Sequence, residues 1–420
     1  MKNTKRILFF MLLSLLLLCL VSCGGGEEEE QIEFIETPYK GSTLYIYNWG
    51  EYISDGSEGS LDVVDLFEKT YGITVKYDYF STNEELYGQL SKGAAYDVIF
   101  PSDYMIERMI GEDLLQPLDF DLLQNEGNIM EQYLNRFYDP ENLYTVPYSV
   151  GMIGIVYNTK LVDPEDVADK SWDLLWNPKY AGGQLINFNN PRDGFGVSML
   201  HLGMNLNTTD TADWDKAYRH LRDQDCIYLM DEVFNKMENG SAAAAAYYAG
   251  DCITMMDVNP DLAFYYPREG TNVFIDAMCI PKSAENVGAA HLFIDFMLSA
   301  DVATQNANYI SYASPNREVV THPDYDHVEG TAGYEILYEI PEGYLTDPMK
   351  MQYYHNLDDE TLKYMTDLWT RLGIEEDEGG LEYGTIVFLG LIGVGLVYVL
   401  VHYGKKAYVY IKTQKQKKLS

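Results

Sequence analysis

The residues of this chain best suited to chemistry are carboxylates set close to aromatic rings. Trp49-Gly50-Glu51-Tyr52, Pro101-Ser102-Asp103-Tyr104, Asn189-Asn190-Pro191-Arg192-Asp193, Tyr247-Tyr248-Ala249-Gly250-Asp251, Phe274-Ile275-Asp276 and Ser311-Tyr312-Ala313-Ser314-Pro315-Asn316 each fall where a strand is expected to end, begin or turn. A carboxylate offers negative charge and an aromatic face an electron-rich surface, so such pairs are suited to holding a cation. In open parallel sheets, ligands bind beyond the carboxyl ends of the strands. With 36 tyrosines and 65 acidic residues, one such pair arises by chance. Four at element ends, with an acid alone in Asn189–Asp193 and an aromatic alone in Ser311–Asn316, are harder to dismiss.

No catalytic constellation accompanies them. The sequence has no His-Glu-x-x-His, no Gly-x-Ser-x-Gly and no phosphate loop. An Asp-x-Asp-x-Asp-Gly calcium loop is also missing. The seven histidines (His201, His220, His291, His322, His327, His355 and His402) fall singly. We therefore expect a binding protein rather than an enzyme, with no cofactor and no metal. Cys226, Cys252 and Cys279 lack the paired spacing of a zinc site. Cys252 and Cys279, each in an apolar run, are expected as buried free thiols.

Charge narrows the partners. The chain carries 29 Lys+Arg against 65 Asp+Glu, a net −36. All the acids lie between Cys23 and Glu382, and nine of the basic residues lie in the two terminal segments, so the central part is more acidic still. Such a field repels nucleic acid, which needs a basic footprint, and draws in small cations. Charge alone does not make a cation binder, since many secreted proteins are acidic.

Both ends read as anchors. Lys2, Lys5 and Arg6 precede an apolar run from Ile7 to Val21, the layout of a signal peptide over 1–22. Leu20-Val21-Ser22-Cys23 resembles a bacterial lipobox, in which Cys23 becomes the acylated N-terminus; an ordinary cleaved signal with a chance cysteine is the alternative. Residues 23–41, opening Gly-Gly-Gly-Glu-Glu-Glu-Glu, read as a lipidated flexible tether. At the other end, 375–382 is an acidic linker and 383–404 is uncharged, with Thr385–Val401 almost wholly apolar. That run is near the lower limit of a bilayer span. Six lysines follow it in the tail 405–420, which places the tail in the cytoplasm and the main domain outside. A buried core helix is the competing reading.

Between the anchors, strands and helices alternate. Strands are expected at Thr43–Trp49, Ile73–Phe80, Tyr96–Phe100, Met152–Tyr157, Gln184–Phe188 and Ile253–Asp257. Helices are expected from a Ser60 cap to Gly72, and at Thr82–Lys92, Tyr104–Ile110, Asp210–Arg222, Asp231–Asn239, Ala289–Leu298 and Asp359–Leu372. Ser241–Ala246 reads as a helix end or a site of tight packing. One helix between successive strands implies a parallel sheet covered on its faces. About 340 residues exceed what one core usually organises.

Several stretches, in order, resemble the bacterial spermidine/putrescine-binding lipoproteins, PotD-type solute-binding proteins of ABC transporters. They include Tyr47-Asn48-Trp49-Gly50-Glu51-Tyr52, Tyr96-Asp97-Val98-Ile99-Phe100-Pro101-Ser102-Asp103-Tyr104, Pro267-Arg268-Glu269-Gly270 and Tyr312-Ala313-Ser314-Pro315-Asn316. Phe67 to Val75, Pro147-Tyr148 and Trp172 to Gly182 add to them, the last recurring among other solute binders. The resemblance implies an α/β, two-lobed periplasmic-binding-protein-like fold (type II) with an interlobe ligand cleft. Lobe 1 would be 42–148 and 272–317, lobe 2 149–271 and 318–374. It implies a polyamine ligand, permease subunits with their ATPase as partners, and a site on the extracytoplasmic face of the cell membrane. Carried over by motif, Asp276 and Asp251 would meet one ammonium and Asp193 the other, with Ser102 and the backbone near Gly50 as neutral acceptors. Trp49, Tyr52, Tyr104, Tyr248, Phe274 and Tyr312 would wall the methylenes. Asn190 stands, neutral, where spermidine-binding members usually carry an acid, and Tyr248 where tryptophan is frequent; Asn190 and Asp251, whose aromatic-x-Gly-Asp setting is similar to putrescine-preferring relatives, favour putrescine and leave spermidine open. A membrane-tethered sensor and a binder of another solute, such as an amino acid derivative or an iron complex, are the alternatives.

Overall fold

The computed structural model describes residues 33–373, Asp231 excepted. The expected signal segment, Cys23, the acidic linker, the apolar run and the lysine tail lie outside the described residues. Among the described residues no single helix is long and apolar enough to cross a membrane.

The chain begins β1 (Thr43–Trp49), α1 (Val63–Tyr71), β2 (Thr74–Phe80), α2 (Asn83–Leu90), β3 (Val98–Ile99) and α3 (Asp103–Gly111). The long β4 (Thr145–Asn158) follows, then β5 (Leu185–Phe188), α4 (Pro191–His201), α5 (Thr211–Arg222), β6 (Ile227–Leu229) and α6 (Glu232–Glu238). Next come β7 (Ala244–Tyr248), α7 (Ala249–Val258), β8 (Leu262–Tyr265), β9 (Thr271–Cys279), α8 (Val287–Met297) and α9 (Ala300–Ile310). Short helices α10 (Arg317–Val320) and α11 (Ala332–Tyr338), β10 (Met351–Gln352) and a helix over 359–373 complete it.

Strand order is β2-β1-β3-β9-β4-β7-β5-β6. β1 pairs in parallel with β2 and β3, and β5 with β6 and β7, as the alternation of strand and helix implies. The antiparallel pair β4–β9 joins the two parallel sets. Val146 and Tyr148 of β4 enter one core, with Leu44, Phe67, Phe274 and Phe293, whereas Ile153, Ile155 and Val156 enter the other, with Trp172, Phe188, Phe195 and Trp214. One continuous strand thus ties together two α/β halves. Its register shifts between Pro147 and Ser149, where proline has no N–H to give the ladder. A third tie is the Val150 amide, which donates to the Ala313 carbonyl at 2.9 Å. Late in the chain, Val319 and Tyr325 pack on Ala303 and Ala307 of α9, while Tyr354, Met365 and Leu368 join the second core.

Three local expectations are corrected. Asp62, not Ser60, caps α1, its side chain accepting from the Asp65 amide; Gly72 ends it at φ 65° as expected. Ile253–Asp257 lies inside helix α7, and the strand is the preceding alanine run. Ala242 to Ala246 are wholly buried, because β7 is a central strand squeezed between β4 and β5, where only small side chains fit. The strand at Tyr96–Phe100 shortens to β3. Among the described residues Cys226, Cys252 and Cys279 are buried and in no disulfide.

Candidate functional site

All twelve sequence-singled residues border one cleft of about 1090 Å³ between the two halves: Trp49, Gly50, Tyr52, Ser102, Tyr104, Asn190, Asp193, Tyr248, Asp251, Phe274, Asp276 and Tyr312. Strand pleating explains part of this. Asn272, Phe274 and Asp276 are alternate residues of β9 and face the cleft together. Helix starts explain more, since Ser102, Asn190 and Tyr248 are the residues immediately before α3, α4 and α7.

The aromatic walls rest on bare backbone. A Cβ on Gly151, which pairs with Phe274, would lie 2.2 Å from that ring, and one on Gly250 2.4 Å from Tyr312. Tyr52 meets Tyr312 edge-on at 5.1 Å between centroids, and Tyr248 meets Phe274 likewise at 5.6 Å. Trp49 is fixed by its indole N–H, which donates to the Phe100 carbonyl at 2.8 Å.

Asp276 is a poorly compensated carboxylate of the cleft. It is 4% exposed; Tyr52 Oη donates to its Oδ2 at 2.8 Å, while its buried Oδ1 has no hydrogen-bond partner. Tyr52 also contacts Ser149 Oγ. Desolvation pushes the Asp276 carboxyl up to about 6, against the Tyr52 hydrogen bond that favours ionisation. Asp193 is better served. Its Oδ2 accepts from Tyr248 Oη at 2.6 Å and from Asn190 Nδ2 at 2.8 Å, while Asn190 Oδ1 caps α4 by accepting from the Asp193 amide at 2.8 Å. Burial still raises its carboxyl above the ordinary range. Asp251 sits in the first turn of α7.

Charge in the cleft is one-sided. Glu51, Glu84, Asp103, Asp193, Asp251, Asp257, Asp276 and Asp326 line it, against Arg192 as the single basic lining residue. Arg192 is committed to the protein: Nη2 donates to Asn207 Oδ1 and to the His355 carbonyl, both at 2.9 Å, and the guanidinium lies 4.5 Å from the Tyr354 ring centroid. Its buried Nε has no hydrogen-bond partner. Burial lowers its pKa and neighbouring acids raise it.

Sequence reasoning missed Glu84 and Tyr354. Glu84 follows Phe80 at the end of β2, the same aromatic-then-acid pattern used elsewhere, so a signal existed. Tyr354 had none; it reaches the cleft from the far end of the chain, its hydroxyl donating to the Arg192 carbonyl at 3.0 Å.

Two α/β halves tied by crossing strands around an acidic, aromatic-walled cleft define the solute-binding class of protein. Residues 94–329 match the family described as bacterial extracellular solute-binding protein. The chain belongs to that family. It is 33% identical over 280 residues to the spermidine/putrescine-binding periplasmic protein of Escherichia coli, covering 66% of this chain and 78% of the relative. To the putrescine-binding periplasmic protein PotF of the same organism it is 30% identical over 297 residues, covering 66% and 78%. Among solved structures, the spermidine/putrescine ABC transporter substrate-binding protein PotD of Streptococcus pneumoniae superposes with a TM-score of 0.61 at 30% identity, over 79% of this chain and 99% of that one.

Proposed function

We propose that this chain is an extracytoplasmic polyamine-binding protein that delivers putrescine, and with it or in second place spermidine, to an ABC importer. The observation that carries this reading is the buried, unpartnered Oδ1 of Asp276 inside an acidic cleft walled by aromatic rings. An ammonium loses several kcal/mol of hydration on entering such a site and needs a carboxylate in exchange. Asp276 and Asp251 take one ammonium. The rings of Trp49, Tyr52, Tyr104, Tyr248, Phe274 and Tyr312 flank the methylenes and add about 0.5–2 kcal/mol each where they face a desolvated cation. Ser102 and the backbone at Gly50 are neutral acceptors, and Asn190 adds no charge, which suits a diamine. The names of the relatives point to the same ligands.

Lobes 42–148 with 272–317 and 149–271 with 318–374 close over the ligand. A lipid on Cys23 and a helix near Thr385–Val401 hold the domain at the outer face, its lysine tail inside. Protease added to intact cells is then expected to degrade the domain and spare an epitope at Ser420; loss of that epitope contradicts the topology. Calorimetry of the purified protein against putrescine, spermidine, an amino acid and a sugar tests the ligand. Heat with the polyamines alone supports the reading, and saturable binding of the amino acid or sugar with none of putrescine overturns it.

A further inference from the structure

A dication held in this cleft needs a carboxylate with free lone pairs at each end. Asp276 offers one. Asp193 is the obvious second, its Oδ2 taking Tyr248 and Asn190 and its Oδ1 remaining for a cation. The guanidinium of the adjacent Arg192 acts on Asp193 and on Glu84 alike. Glu84 is differently placed. It stands in the first turn of α2, on the opposite half of the protein from α4, and lines the same cleft. Tyr104 Oη donates to its Oε1 at 3.0 Å and so fixes the carboxylate. Although the side chain is solvent-exposed in area, desolvation by the cleft walls raises its carboxyl, and Arg192 and Asp193 across the cleft are the charges that act on it. Closing the two halves therefore brings a cation lying over Asp193 within the field of Glu84, and an ammonium is the partner that relieves both the desolvation and the like-charge repulsion.

We infer that Glu84, facing Asp193 across the cleft, shares the ligand's second ammonium with it, and that it makes the site select dications over monocations. The inference rests on the polyamine reading. Its test compares putrescine with n-butylamine, which has the same four-carbon chain and one ammonium, on the purified full chain and on Glu84→Gln and Glu84→Asp. Affinities come from calorimetry, with n-butylamine measured by displacement of putrescine. Glu84→Gln is expected to weaken putrescine tenfold or more and to change n-butylamine less than twofold, with Glu84→Asp recovering part of the loss. Equal weakening of both amines marks a merely structural residue and overturns the inference, as does a variant that binds both like the parent. A parent protein that binds no putrescine overturns the polyamine reading itself, a result distinct from failure of Glu84 alone.

Discussion

The Tyr52 hydroxyl donates to Asp276 Oδ2 at 2.8 Å and leaves Oδ1, sealed from solvent, with no partner. A buried carboxylate with half its acceptors unused is an instability in the empty protein and an anchor for a cation. Asp103 beside it is also wholly buried, and desolvation pushes its carboxyl well above the carboxylate range.

Replacing Asp276 with Asn is accordingly expected to act in opposite directions on binding and on stability. Putrescine affinity is expected to fall more than tenfold, since a buried ammonium left without its carboxylate forfeits about 3–5 kcal/mol. Without ligand, the parent carboxyl at about 6 lies above its unfolded value. The folded state therefore holds the proton more tightly, and stability is lost as pH rises from the unfolded pKa through 6, by up to about 3 kcal/mol. Asp276→Asn is thus expected to raise the ligand-free Tm at pH 7.5 and to change it little at pH 4. An unchanged affinity would remove Asp276 from the site.

Binding itself is expected to weaken on acidification below about pH 6, by up to tenfold per unit, because the ammonium must displace the Asp276 proton. The groups around that carboxylate are Tyr52 and Ser149, Ser102 and Asp103 at the start of α3, and Asp193 on α4. The wider cleft adds Arg192, Tyr248, Asp251, Tyr312 and Glu84. The amine stays protonated throughout this range. Calorimetry from pH 5 to 8 checks it, and an affinity that stays flat over the range contradicts it.

Gly151→Ala and Gly250→Ala probe the aromatic walls. Each new methyl would overlap a ring, Phe274 at 2.2 Å and Tyr312 at 2.4 Å. Such overpacking is expected to cost about 1–3 kcal/mol in chemical denaturation. Putrescine affinity should fall with it, because the displaced ring is a ligand wall. Parent-like stability and affinity in both variants would show that the rings have room to move.

Ligand is expected to compact the protein. Asp276 and Glu84 belong to one half and Asp193 and Asp251 to the other, so a ligand touching both favours the closed arrangement. Small-angle scattering should report a smaller radius of gyration with putrescine bound. Identical values with the ligand demonstrably bound argue for a rigid cleft.

The site was more legible in the sequence than the elements that hold it. Strand-end loops with an aromatic and an acid lie side by side in the chain, and all twelve residues read from them border the cleft. What could not be read was which carboxylate oxygens the protein itself already engages. Asp193 gives no local sign that its Oδ2 accepts from Tyr248, 55 residues away. The alanine run is tightly packed, as one of its two readings had it, but its strand was not legible because alanine disfavours strands on propensity, and only its position between β4 and β5 overrides that preference. Ile253–Asp257 has the composition of a strand, but the chain has just left one at Tyr248 and Ala249 starts a helix. Tyr354 enters through a hydrogen bond spanning 162 residues, which local pattern cannot register.

The most direct test of the site is a crystal structure of the protein with putrescine. One amine nitrogen is expected within hydrogen-bond distance of Asp276 Oδ1, with the methylenes between Phe274, Tyr248 and Tyr312. Putrescine bound elsewhere, with Asp276 Oδ1 still unpartnered, would contradict it.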